Sequence, residues 1–111
     1  MVLSLELVNV RIKPIFEITM KGVQDVVRVL FDTGSTKVIW CSTKVDIKEL
    51  AFRDTHETTT LSGFGTGEQS GCKIYKGSFG IYKAGRGIMF RDVEVVESTK
   101  KLKAFDLLLP Y

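Results

Sequence analysis

Most of this 111-residue chain reads as strand, with apolar and polar residues alternating roughly over Val2 to Ile12 and clearly in the second half of Ile88 to Glu97. A period of two is the mark of a strand with one buried face. Leu3, Leu5 and Leu7 share one face of a strand expected over Val2 to Ile12. Pro14 interrupts, and Ile15 to Met20 reads as a second strand. Lys21-Gly22-Val23-Gln24-Asp25 supplies a turn. Val26 to Phe31 is nearly all apolar and rich in β-branched residues, which predicts a strand buried on both faces. It runs directly into Asp32-Thr33-Gly34-Ser35, and Val38 to Cys41 is another short apolar strand.

The next stretch, Ser42 to Thr60, is polar, and Ile47, Leu50 and Ala51 fall on one side of a single short helix. Four glycines then occur in the nine residues Gly63 to Gly71, between β-prone Thr58 to Leu61 and Lys73 to Tyr75. The pattern predicts the tip of a long hairpin. Phe79 to Lys83 continues as strand, Ala84-Gly85-Arg86-Gly87 is a second turn, and Ile88 to Glu97 pairs back. A lysine-rich loop leads to the closing segment Asp106 to Pro110. Strands at short intervals with at most one short helix give an all-β barrel or sandwich. The length suits one domain over residues 1–111.

Composition narrows the class. Hydrophobic residues at 44% and charged residues at 26% are ordinary for a globular chain with a real core. No apolar run is long enough to span a bilayer, and Met1 to Glu6 has no secretory pattern, so no membrane partner and a cytoplasmic location are expected. The net charge is +3, and Lys100, Lys101 and Lys103 cluster without interleaved aromatics, which reads as a solvated loop and not a nucleic-acid surface. Cys41 and Cys72 lack metal or redox spacing and are expected as buried, reduced thiols, with a redox-sensitive pair as the alternative. His56 stands alone in a polar stretch, so no metal site and no cofactor are expected, and nothing marks a nucleophile for it. Trp40 is expected in the core. Arg28, inside an apolar strand, is either a surface residue at an edge or a partner across a dimer.

One segment carries chemistry. Asp-Thr-Gly alone is weak evidence, because a chain of this length has about a 2% chance of containing it. Its setting is more specific: an apolar strand delivers Asp32, a hydroxyl and a glycine follow, and a second apolar strand begins. Gly34 lets the backbone turn tightly and brings its amide near the carboxylate. Thr33 has a hydroxyl that can bond across an interface, and Ser35 can donate to the outer oxygen of Asp32. The alternative is a plain turn aspartate.

Phe31-Asp32-Thr33-Gly34-Ser35-Thr36 resembles the active-site signature of retropepsin-like aspartic proteases. The likeness covers roughly Pro14 to Pro110 in order and spacing: a hairpin from Ile15 to Phe31 before the triplet, a flap hairpin from Thr58 to Ile74, and a closing apolar pair at Leu108-Leu109 or Leu107-Leu108. It implies a closed barrel with a glycine-rich flap, and a water activated between two Asp32 carboxylates. Asp32, Thr33 and Gly34 would form the catalytic loop. Ser35 and the flap residues Gly63, Phe64, Gly65, Thr66 and Gly67 would bind a polypeptide substrate. No other aspartate is followed by Thr-Gly or Ser-Gly, so the resemblance implies a homodimer with Asp32 contributed twice. Two departures stand out. Pro110 or Leu109 occupies the place of the family's glycine after the apolar pair, and the helix and terminal strand that follow in retroviral relatives are not seen before Tyr111. A catalytically silent dimerisation or peptide-binding module is the alternative expectation.

Overall fold

The computed structural model describes residues 15–32, 37–62, 67–102 and 104–110. The strand expected over Val2 to Ile12 lies outside them. Among the described residues there are seven strands and one 3-10 helix: β1 (Ile15–Met20), β2 (Val27–Asp32), β3 (Val38–Trp40), the helix (Ile47–Glu49), β4 (Arg53–Leu61), β5 (Gln69–Lys83), β6 (Arg86–Glu97) and β7 (Leu107–Pro110). The protein is all-β, and no helix among these residues is long and apolar enough to cross a membrane.

The hydrogen-bonded order is β1-β2-β7-β3-β6-β5-β4. Strand β1 also pairs with β5, through Thr19 opposite Tyr82 and Met20 opposite Ile81. Six strands therefore form a ring that returns on itself, with β4 attached outside it to β5. The pairing is mixed: β2 runs parallel to β7 and β3 parallel to β6, while β3 is antiparallel to β7.

Strand period decides which residues fill the ring. On β3, Val38 and Trp40 enter the main core while Ile39 enters a second cluster, which Cys41 joins just beyond the strand. On β7, Leu107 and Leu109 enter the main core and Leu108 the second cluster. Burial on both faces thus belongs to β3 and β7. The strand expected to have it, Val26 to Phe31, is fully buried only at Val27 and Val29. Val26 is exposed, and Arg28, Leu30 and Phe31 are half-buried. Arg28 turns to Asp106 in the same chain, with Nε 3.7 Å from Oδ2, while its backbone N–H donates to that carboxylate at 2.9 Å. Within the chain Arg28 therefore has a carboxylate partner.

Strand β4 begins five residues before the β-prone Thr58. Its polar residues face solvent outside the ring, so no apolar alternation announces it. The strand bulges after Asp54, where His56 takes φ 64° and its N–H bonds the Asp54 carboxylate at 2.8 Å. The short helix is a single turn that buries Ile47 and is capped by Asp46, whose Oδ1 accepts from Lys48 N at 2.9 Å. The β5–β6 turn is tighter than expected. Ala84 and Gly85 alone make it, at φ 53° and 78°, and Arg86 and Gly87 already pair with Lys83 and Tyr82. Midway along this ribbon the register shifts between Gly77 and Phe79. A Cβ on Gly77 would come within 2.5 Å of the Phe52 ring, so the strand needs glycine there to receive that aromatic side chain.

Cys41 and Cys72 are both free and buried in the second cluster. Burial pushes the Cys41 thiol up to about 12, helped by the neighbouring Asp106 carboxylate. The folded state therefore holds the proton more tightly than the unfolded chain. The stability this contributes is complete below 9.0 and is lost as pH rises from there to about 12. The native chain is expected to leave both thiols unmodified by a thiol reagent at neutral pH, and the urea midpoint to fall across that alkaline window. A Cys41→Ala chain should lose that part of the alkaline fall.

Candidate functional site

Asp32 is the last residue of β2, half-buried, and lies opposite Pro110 in the parallel pairing with β7. Residues 33–36 join β2 to β3, and β7 lies between these two strands. The closing segment Leu107 to Pro110 thus pairs with both strands that this loop joins, with a proline where the family resemblance calls for glycine. Thr33, Gly34 and Ser35 lie outside the described residues.

Asp106, just ahead of β7, ties the three strands at the opposite end from Asp32. Its N–H donates to Arg28 O at 2.8 Å, its carboxylate accepts from Arg28 N, and its carbonyl accepts from Cys41 N at 2.9 Å. Asp106 is 2% exposed, and β2, β7 and β3 are held in register through one buried residue. Nothing in the run Asp106-Leu107-Leu108-Leu109 signals this role, because both partners are remote in sequence.

The glycine-rich hairpin is built from β4 and β5, with Leu61 opposite Gln69. The connection is shorter than Gly63 to Gly71, since Gln69, Ser70 and Gly71 already belong to β5. Gly63, Phe64, Gly65 and Thr66 lie outside the described residues. Gly67 is exposed at φ 79°, a backbone conformation that favours glycine. Below the hairpin, Thr59 and Ile74 from its two strands face Lys37 and Val38, which directly follow the Asp32 loop. Together with Val93, Glu94 and Val96 of β6 they enclose a cavity of about 370 Å3. The fold therefore sets the hairpin root and the exit of the Asp32 loop around one space.

Gln69 was unmarked in the sequence, where it reads as part of a flexible tip. It is 3% exposed, and its Oε1 accepts from Thr99 N at 3.0 Å and Thr99 Oγ1 at 2.9 Å, with Ser98 Oγ also at 2.9 Å. It pins the returning arm of the hairpin to the loop after β6. Leucine at this position would remove the shared acceptor, leaving exposed Thr99 to bond water and buried Ser98 Oγ to keep Lys100 O at 2.6 Å. Gln69→Leu is expected to lower stability by about 0.5–1.5 kcal/mol in urea titration. It should also speed backbone hydrogen exchange at the β4–β5 root more than in β2.

Lys100 and Lys101 behave as surface groups, with Lys101 Nζ 3.2 Å from the Glu97 carboxylate. His56 has a side chain 87% exposed, with its Nδ1 3.9 Å from Asp54 Oδ1. Among the described residues no cluster of histidine, cysteine and carboxylates has the makings of a metal site. No protein-family model matches the chain, and no curated protein matches it.

Proposed function

We propose that the chain is one subunit of a retropepsin-like aspartic endopeptidase, acting as a homodimer on extended polypeptides without a cofactor. The observation that carries the reading is the placement of Asp32. The aspartate of an Asp-Thr-Gly-Ser sequence ends a core strand paired with β7, and Lys37 and Val38, just past its loop, share a cavity with Thr59 and Ile74 at the root of the glycine-rich hairpin. Across a two-fold axis, two Asp32 carboxylates would lie too close for both to ionise, so one would keep a proton. The ionised group takes a proton from water and the protonated one polarises the scissile carbonyl. The hairpin closes over the substrate and pairs with it as an added strand, while apolar pockets select side chains. Two free, buried thiols fit a reducing compartment such as the cytoplasm.

One observation favours a silent peptide-binding or dimerisation module instead. Pro110 lies beside Asp32 and has no backbone N–H to give to the neighbouring loop. The two readings separate in one experiment: cleavage of an unbiased peptide library, read by mass spectrometry from mildly acidic to neutral pH, with the native chain and Asp32→Asn compared at concentrations where both are dimeric. Cleavage that the substitution abolishes supports the enzyme. Absence of cleavage by the native dimer supports the module.

A further inference from the structure

The ring of strands is imperfectly closed. Strand β1 bonds β5 only at Thr19 and Met20, because the β5–β6 ribbon turns at Ala84 and Gly85. Among the described residues, Ile15 to Ile18 pair on one side only, with β2. Across the gap, Lys83 Nζ donates to Glu17 O at 3.1 Å, an exposed side-chain bond where a strand partner would stand. Glu17 O therefore points into the gap. Ile15 presents its backbone the same way, since strand hydrogen bonds alternate sides.

The gap is an apolar groove of about 360 Å3. Phe16, Ile18 and Phe31 form one wall, and Tyr82 and Ile88 the other. Large apolar side chains remain open here: Phe16 is 39% exposed, Tyr82 41% and Ile88 48%. The charged residues lining it are Lys83 and Arg86, both positive.

We propose that this groove is a docking site for an extended polypeptide segment that adds to β1 as a strand, places alternate apolar side chains against Phe16 and Ile88, and carries an acidic residue toward Lys83 and Arg86. A strand edge without a partner among the described residues supplies backbone bonds and the groove supplies side-chain selection, the two parts of strand addition. The charge on the rim specifies the sign of the partner. A second copy of this chain is the poorer occupant. Edge-to-edge pairing of two β1 strands would set the two β2 strands roughly 14 Å apart, three strand spacings, too far for the Asp32 pair proposed above. The site is otherwise independent of the protease reading.

The test uses the full chain carrying Asp32→Asn, so that binding is read without cleavage. The probe is a fluorescein-labelled nonapeptide of alternating valine and threonine with glutamate at each end, followed by anisotropy. Saturable binding is expected, weakened about tenfold or more by Ile88→Asp, which removes an apolar contact without touching the core. Lys83→Glu with Arg86→Glu should move the preference to a lysine-ended peptide. A benzophenone side chain in place of Ile88 should cross-link the peptide. Absence of saturable binding, equal affinity in all variants, or cross-linking to residues 1–14 of the same chain or to a second copy would overturn the proposal.

Discussion

The Asp32→Asn chain is expected to lose peptide cleavage by roughly 10²–10⁴-fold, the range that positioned acid–base groups contribute. Asparagine has nearly the shape of aspartate but cannot take a proton from water, nor share one with its counterpart. In the proposed dimer the substitution enters twice, so no intact carboxylate remains. The structural effect should be small. Asp32 is half-buried at the end of β2, and it joins β7 through the backbone ladder that sets Phe31 against Leu109 and Asp32 against Pro110. Circular dichroism and the urea midpoint are therefore expected to stay near the native values while cleavage disappears. In the proposed dimer the two carboxylates would titrate as a pair, so the pH profile of cleavage should show two limbs belonging to the pair. Specific activity should fall on dilution, because in the proposed dimer neither subunit holds a complete site. Cleavage that persists in Asp32→Asn would assign the chemistry to another group and end the aspartic reading.

Much of the strand layout is legible in the sequence because the core obeys a period of two. Ile15 to Met20 is read with the bounds the fold shows, and Val38 to Cys41 overruns β3 by one residue. The failures have physical causes. Among the described residues strand β4 pairs with β5 alone and buries little beyond Leu61, so a run such as Arg53-Asp54-Thr55-His56-Glu57 carries no hydrophobic signal. Double burial was expected of Val26 to Phe31 because that run is long and apolar. It falls instead on β3 and β7, which lie between other strands in an order that local pattern does not reveal. Gln69 and Asp106 act through partners about 30 and 78 positions away, and a polar residue beside glycines or leucines does not advertise a remote acceptor role. At the candidate site, Asp32 was legible from its triplet. Its pairing with Pro110 of β7 emerges only from long-range contacts.

Trp40→Ala is expected to lower stability by about 3–5 kcal/mol, the range for removing a buried aromatic side chain from a core. Trp40 is 1% exposed in the middle of the ring, opposite Leu107 on β7 and Glu97 on β6. Its indole N–H donates to Val45 O at 3.0 Å, so the side chain both fills the core and pins the segment leading to the 3-10 helix. A domain of this size has a total stability of only about 5–15 kcal/mol, so the loss is a large share of it. The urea midpoint should fall steeply with the slope unchanged, because the unfolded chain exposes nearly the same surface. Trp40→Phe separates the two contributions. The smaller ring keeps most of the packing and removes the donor, leaving Val45 O to find water, and a loss of about 1–3 kcal/mol is expected. Should alanine and phenylalanine weaken the protein equally, the hydrogen bond to Val45 would outweigh the packing. Should neither weaken it by more than about 1 kcal/mol, Trp40 would not occupy a close-packed core at all. The position also bears on the candidate site, since β3 leads from the Asp32 loop to Trp40 within a few residues. A chain weakened here is expected to lose order at Lys37 and Val38, on the wall of the cavity they share with Thr59 and Ile74, before it loses the β5–β6 ribbon.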